Sequence, residues 1–176
     1  MFVNLGYLER APRFQNVYYF DNSKIDNIES EKVFAFEGGY TFRSRNFSVN
    51  ANGYFTYWEN KPVTTPILVQ FGDETFRSNI NGMDALHMGI EVDFAYEISD
   101  KWKVQGLFSL GDWRWKSSEE VTFRDEDNNP IEDPSNPGEF LTYRFDATNV
   151  HVGDAAQTQV GLSVDYEPIR GAYISA

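Results

Sequence analysis

The chain has no cysteine and only 2 histidines in 176 residues. Without thiols, neither a disulfide framework nor a cysteine-based metal site can form. No run of about 18 apolar residues exists, so no segment reads as a transmembrane helix. Positive charge is scarce: 15 Lys and Arg stand against 27 Asp and Glu, for a formal net charge of -12. With no basic stripe to track a phosphate backbone, nucleic acid is excluded as a partner. Helical periodicity of useful length is missing too. His87 and His151 lie far apart with no further imidazole near either, so they make no metal site and are expected to face an interior as polar residues. Catalysis needs a nucleophile or a carboxylate pair beside a tuned base, and no sequence-local constellation supplies one. The expectation is a protein that is not an enzyme, with no cofactor and no metal.

What the chain has is alternation. Leu86, Met88, Ile90, Val92, Phe94, Tyr96 and Ile98 form one face of a segment whose other face is His87, Gly89, Glu91, Asp93, Ala95 and Glu97. Soluble strands average about 5–6 residues, and this pattern runs over about 13. Phe47, Val49, Ala51, Gly53, Phe55 and Tyr57 repeat the apolar set against Ser48, Asn50, Asn52, Tyr54, Thr56 and Trp58. Phe34, Phe36, Gly38, Tyr40 and Phe42 oppose Val33, Ala35, Glu37, Gly39, Thr41 and Arg43. The fourth segment sets Ala156, Thr158, Val160, Leu162, Val164 and Tyr166 against Gln157, Gln159, Gly161, Ser163 and Asp165. One face meeting lipid and the other a wet interior is what a β-barrel in hydrocarbon demands. The mean hydropathy of -0.51 does not look like that of a membrane protein but does not count against a barrel, because only alternate strand residues face lipid and loops are polar. Aromatics at 16% suit strands and interfacial girdles.

The fold class expected is therefore all-β, an antiparallel meander of long strands forming part of a transmembrane β-barrel. Strands are expected at about Phe2–Glu9, Glu31–Arg43, Phe47–Trp58, Met83–Ile98, Lys101–Trp115, Phe140–Val152, Ala155–Tyr166 and from Gly171 onward. Ser44-Arg45-Asn46, Ser99-Asp100 and Gly153-Asp154 read as tight turns, whereas 10–30, 59–81 and 116–139 read as long loops rich in Asn, Asp, Pro and Glu. Short turns on one rim and long loops on the other is the outer-membrane arrangement. The short Glu167–Arg170 link falls on the long-loop side and is the one exception. Tyr57, Trp58, Trp102, Trp113 and Trp115 mark the rims at headgroup level. The apolar set Trp102, Val104, Gly106, Phe108, Leu110 would turn Asp112 toward lipid and both later Trp inward, so a bulge near Gly111 is expected.

Charge is concentrated. Between Ser117 and Glu139 eight acids face one base, Arg124, which reads as a solvated surface loop. Within it Asp125, Glu126 and Asp127 are candidate ligand contacts. Asp125, Asp127 and Asn129 imitate the start of an EF-hand loop, but Pro130 stands where that loop needs Gly and Asn136 where it needs a bidentate Glu, so the motif fails. Glu37, Glu91, Asp93 and Glu97 are candidate interior-facing residues, which need water or cationic partners.

Several short motifs resemble the TonB-dependent receptors of outer membranes, in the C-terminal part of the barrel and in the form found in Bacteroidetes-type bacteria. They are Leu5-Gly6-Tyr7-Leu8-Glu9-Arg10-Ala11-Pro12-Arg13-Phe14, Ile28-Glu29-Ser30-Glu31-Lys32 leading to Glu37-Gly38-Gly39-Tyr40, Asn79-Ile80-Asn81-Gly82, Met88-Gly89-Ile90-Glu91, and Val150-His151-Val152-Gly153-Asp154-Ala155-Ala156-Gln157-Thr158-Gln159. The resemblance implies a 22-stranded barrel occluded by a plug, located in the outer membrane of a Gram-negative bacterium. Such a barrel imports a scarce nutrient (siderophore, cobalamin or glycan) with energy passed on by TonB. Residues 1–176 would then be one partial barrel domain, an internal fragment, with plug and remaining strands outside it. The partners implied are outer-membrane lipid, the plug and TonB through the missing N-terminal part, and an unidentified small nutrient. Two other architectures fit the pattern: a complete small barrel of eight strands with a structural or adhesion role, and a secreted carbohydrate-binding β-sandwich.

Overall fold

A computed structural model describes residues 1–18, 24, 28–61, 67–71, 74–78, 82–125, 129–153 and 156–176. Its frame is a seven-stranded antiparallel sheet. In spatial order the strands are β1 (Phe2–Arg10), β2 (Glu31–Arg43), β3 (Phe47–Lys61), β6 (Met83–Ser99), β7 (Trp102–Trp115), β10 (Thr158–Tyr166) and β11 (Ile174–Ser175). A short helix, α1 (Phe14–Val17), follows β1. Two separate hairpins, β4 (Ile67–Phe71) with β5 (Glu74–Ser78) and β8 (Ser118–Thr122) with β9 (Thr142–Asp146), interrupt the long connections.

The alternation read from sequence becomes continuous rows across the sheet. Tyr40, Ala51, Val92, Phe108 and Val160 are successive register partners, as are Leu5, Phe36, Phe55 and Met88. The rows between carry the polar set, for example Asn4, Glu37, Tyr54, Gly89 and Gly111. At one rim the apolar rows end abruptly at Glu9, Lys32 and Glu59. Among the described residues nothing covers the apolar face: Ile90 is 50% exposed, Val160 74% and Leu162 68%. A sandwich would bury those residues in a common core, so the sandwich reading fails. Among the described residues β1 pairs only with β2 and β11 only with β10, so their seven-stranded sheet is open and not the eight-stranded closed barrel.

Three expectations are corrected here. The strand expected at Phe140–Val152 does not join the sheet. β9 pairs with β8 instead, and the chain from Asn149 to Val152 runs along the upper edge of β7, with Asn149 N–H to Trp115 O at 2.8 Å and Val152 N–H to Trp113 O at 2.9 Å. Gly153 therefore lies at the long-loop rim; the tight turn expected at Gly153-Asp154 includes Asp154, which falls outside the described residues. With seven strands rather than eight, Glu167–Arg170 moves to the short-turn rim and the exception in loop lengths disappears. The bulge expected near Gly111 is absent, since the β6–β7 register runs unbroken from Ala85↔Trp115 to Glu97↔Lys103. Register shifts occur instead between Glu97 and Ser99 and between Trp58 and Lys61.

The fully buried apolar residues gather at the long-loop rim. Met83, Val121 and Ala147 form a small core, with Trp115 and Phe145 packed against it. The β8–β9 hairpin is thus docked on the sheet rather than free. Lys116 N–H donates to Asp84 O at 2.8 Å, and Asp84 N–H to Ser117 Oγ at 2.8 Å, fixing its first residues.

Candidate ligand-facing site on the polar face

With no bulge at Gly111, the pleat puts Trp113 and Trp115 on the polar face. Their register partners there are His87 and Ala85, and Trp58 pairs with Ala85 from the other side. Trp58, Trp113 and Trp115 therefore do not mark the headgroup level as expected; Tyr57 and Trp102 remain on the apolar face. The rings assemble. His87 stacks on Trp113 with centroids 5.0 Å apart and planes at 14°, and Trp58 lies 6.0 Å from His87. Trp113 Nε1–H donates to Tyr54 Oη at 2.9 Å.

Tyr54 reaches Trp113 by lying flat across two strands, which requires Gly89 and Gly111 beneath it. A Cβ at Gly89 would stand 2.5 Å from the Tyr54 oxygen and 2.6 Å from Leu110 O. Real side-chain carbons do not approach so closely, so glycine here is a matter of space and not of turn formation.

Lys61 joins the cluster through the irregularity in β3. Glu59 and Asn60 together oppose Asp84, and Asn60 takes a left-handed conformation with φ 55°. Asp84 holds the bulge, accepting from Asn60 N–H and from Tyr57 Oη–H, both at 3.2 Å. Asn60 Nδ2 ties the other side to Glu29 and Ser30. One extra residue turns the next side chain over, so Lys61 pairs with Met83 and faces the same way as Trp58. Its Nζ stands 4.8 Å from the Trp58 ring centre and 5.5 Å from that of Trp115, within cation–π range. Among the described residues, the two buried side-chain nitrogens without a hydrogen-bond partner, Trp58 Nε1 and His87 Nε2, both belong to this cluster. Each such orphan costs about 1–3 kcal/mol, so the arrangement is not the most stable one this face could hold.

The register sets Glu37, Glu91, Asp93 and Glu97 on the polar face, below the rings. Amides meet two of them: Asn4 Nδ2 donates to Glu37 at 3.2 Å and Asn50 Nδ2 to Asp93 at 2.7 Å. The acidic loop yields less. Asp125 is tied to Asn129, whose backbone N–H and Nδ2 donate to it at 2.7 and 3.2 Å; Glu126 and Asp127 lie outside the described residues. His151, expected in the interior, is instead bridged to Arg114 on the apolar side and is 59% exposed at its side chain, with Nδ1 3.2 Å from Gln157 Oε1. Within the hairpin, burial first and Asp84 second push the Glu119 carboxyl above its ordinary range. Hydrogen bonds from Thr148 hold Asp146 below its own. Among the described residues no group of three His, Cys, Asp or Glu is placed to hold a metal ion.

A sequence model described as "TonB dependent receptor-like, beta-barrel" matches residues 1–174. The chain belongs to this family. TonB-dependent receptors are transporters rather than enzymes and reside in the outer membrane of Gram-negative bacteria, which places this chain there. Comparison with curated proteins finds no match. Among solved structures, the chain is similar to one titled "Copper transporter OprC", with 15% identity and a TM-score of 0.53. The likeness covers 98% of this chain and 30% of the transporter, so the chain spans under a third of that structure's length. At that identity the likeness speaks for the fold alone, and it agrees with an antiparallel sheet forming part of a barrel wall.

The residues that sequence reading missed are Tyr54, Trp58, Lys61, Trp113 and Trp115. The signal for the two later tryptophans was present in the strict alternation of β7, which turns both onto the polar face without any bulge. Nothing comparable marks Lys61, whose side depends on a single irregular residue.

Proposed function

We propose that the chain is a section of the wall of a TonB-dependent receptor, with its apolar face on lipid and its polar face on the passage through which a scarce nutrient enters. A siderophore, cobalamin or glycan would be the cargo, and plug and TonB would act through parts of the receptor outside residues 1–176. The observation that supports this is the uncovered apolar face. From Leu86 to Ile98, β6 has twelve residue steps, about 41 Å along the strand at ~3.4 Å per residue. Tilted by about 45°, that spans roughly 29 Å, enough for the ~25 Å apolar band of an outer-membrane barrel and its aromatic borders. Water would make such a face a liability, whereas hydrocarbon makes it the required one.

The long-loop rim would then lie outside the cell, and the ring cluster would line the passage just below its mouth. Residues 1–176 contain no cysteine, which allows a direct test in a receptor freed of any cysteine elsewhere. Single cysteines at Ile90, Val160, Glu91 and Asp93 in the full receptor, probed in intact outer membranes, should divide by face. The first pair should resist a water-soluble maleimide and the second pair react once the passage is accessible. Equal reactivity on both faces would refute the assignment.

A further inference from the structure

Trp58, Ala85 and Trp115 are consecutive partners in one row of the polar face. The outer two strands of such a triplet lie about 9.6 Å apart, and the central residue is the smallest side chain available and is fully buried. The row is therefore a slot with two indole walls and an alanine floor. What fills it in this structure is an ammonium group, that of Lys61. The lysine is there only because the Glu59–Asn60 bulge turns it onto this face.

We propose that this slot is a binding site for an alkylammonium group carried by the solute, and that Lys61 is its built-in occupant, displaced when the solute arrives. The proposal rests on the reading of the polar face as the lining of the passage, and it names a chemical feature of the cargo that this reading leaves open. Indole faces attract a cation through the ring quadrupole, most strongly where water is partly excluded. The surrounding charge has the matching sign. Below the slot the polar face carries five carboxylates, Glu37, Glu91, Asp93, Glu97 and Asp165, against two bases, Arg43 and Lys103. Above it, Glu119 lies on the same side of β8 as Val121, which is buried against Met83, so a further acid faces the sheet. An anionic solute would meet repulsion along this wall, and a neutral one would gain nothing from displacing Lys61. A cationic group replaces the Lys61 ammonium between the two rings like for like, and the lysine passes to the neighbouring carboxylates or to water.

The test uses the purified full-length receptor with choline as probe and its neutral tert-butyl isostere, in which carbon replaces the quaternary nitrogen, as control. Binding is read by calorimetry and by tryptophan fluorescence. Lys61→Met removes the internal competitor, so choline should bind this variant at least about tenfold tighter than the parent receptor, while the isostere binds neither. Trp58→Leu in the Lys61→Met background should abolish the gain, and Trp58→Phe should keep part of it; the Phe variant guards against a loss caused by misfolding. Unchanged or weaker choline binding in Lys61→Met overturns the proposal, as does equal binding of the isostere. Neither result bears on the importer reading, which fails separately if cysteine labelling does not divide by face.

Discussion

The ammonium of Lys61 stands 4.8 Å from the centre of the Trp58 ring, although the two residues are three apart in a strand whose pleat would set them on opposite faces. Asp84 is the residue that makes them neighbours, since it satisfies both the Asn60 amide and the Tyr57 hydroxyl at the bulge. Asp84→Ala should leave those two donors short of a partner and destabilise the rim by about 1–3 kcal/mol. Chemical unfolding of the refolded receptor measures the loss. Fluorescence of the Trp58–Trp115 pair should change at the same time, because Lys61 is released. A variant with full stability and unchanged emission would show that the bulge is held by other contacts.

Tyr54 crosses Gly89 and Gly111 to reach Trp113. Gly89→Ala should push the phenol off the sheet, break its hydrogen bond to Trp113 Nε1 and cost about 1–3 kcal/mol by overpacking. In a Tyr54→Ala background the same change should cost less, because only the clash with the Leu110 carbonyl remains. A double-mutant cycle reads the coupling, and additive effects would contradict the close approach.

The two perturbed carboxyls of the hairpin region give opposite pH dependences. Asp146 binds its proton less readily in the folded state, so it contributes stability above its unfolded value that is lost as pH falls through its lowered folded value. Glu119 binds its proton more readily in the folded state, so its contribution is greatest in acid and is lost as pH rises through its raised folded value, above 4.5. Glu119→Gln should therefore raise the protection of the Val121 amide, relative to a free amide at the same pH, at neutral pH and remove the gain in protection that the parent shows on mild acidification. Asp146→Asn should remove the weakening seen in stronger acid. Identical exchange profiles for parent and variants would refute both assignments.

Deleting residues 125–133 removes the tip beyond the hairpin without touching Met83, Val121 or Ala147. Assembly, read as heat-modifiable migration and surface abundance, should be unchanged. If the tip contacts cargo, affinity at the cell surface should fall; undiminished affinity would assign its acids to solvation.

Much of the wall was legible from composition and parity. The four alternating segments gave the sheet faces correctly because a period of two leaves no freedom once one face must be apolar. Glu37, Glu91, Asp93 and Glu97 were placed on the polar face by the same rule. The site was not legible, for two reasons. Aromatic residues near strand ends were read as lipid-facing by habit of composition, although the parity of Trp113 and Trp115 said otherwise. Lys61 depends on one left-handed residue, Asn60, and on a carboxylate 24 positions away, which no local pattern announces. The strand expected at Phe140–Val152 failed because a hairpin pairing with β8 outcompeted the wall for the same chain.

Gln157 closes the region where that competition was decided. Its side-chain amide accepts from Trp113 N–H at 2.9 Å and donates to Trp113 O and Val152 O at 3.3 and 3.1 Å. Two residues lower on β7, its own carbonyl takes the Gly111 amide at 2.6 Å. A single glutamine thus imitates a short length of strand and splices the returning chain onto the edge of β7. The excursion from Lys116 to Ala156 consequently leaves and rejoins the wall at one seam. Insertions, deletions or wholesale replacement of the outer hairpin can be absorbed there without shifting the register of any membrane strand, so recognition elements can diversify while the wall that carries them stays fixed.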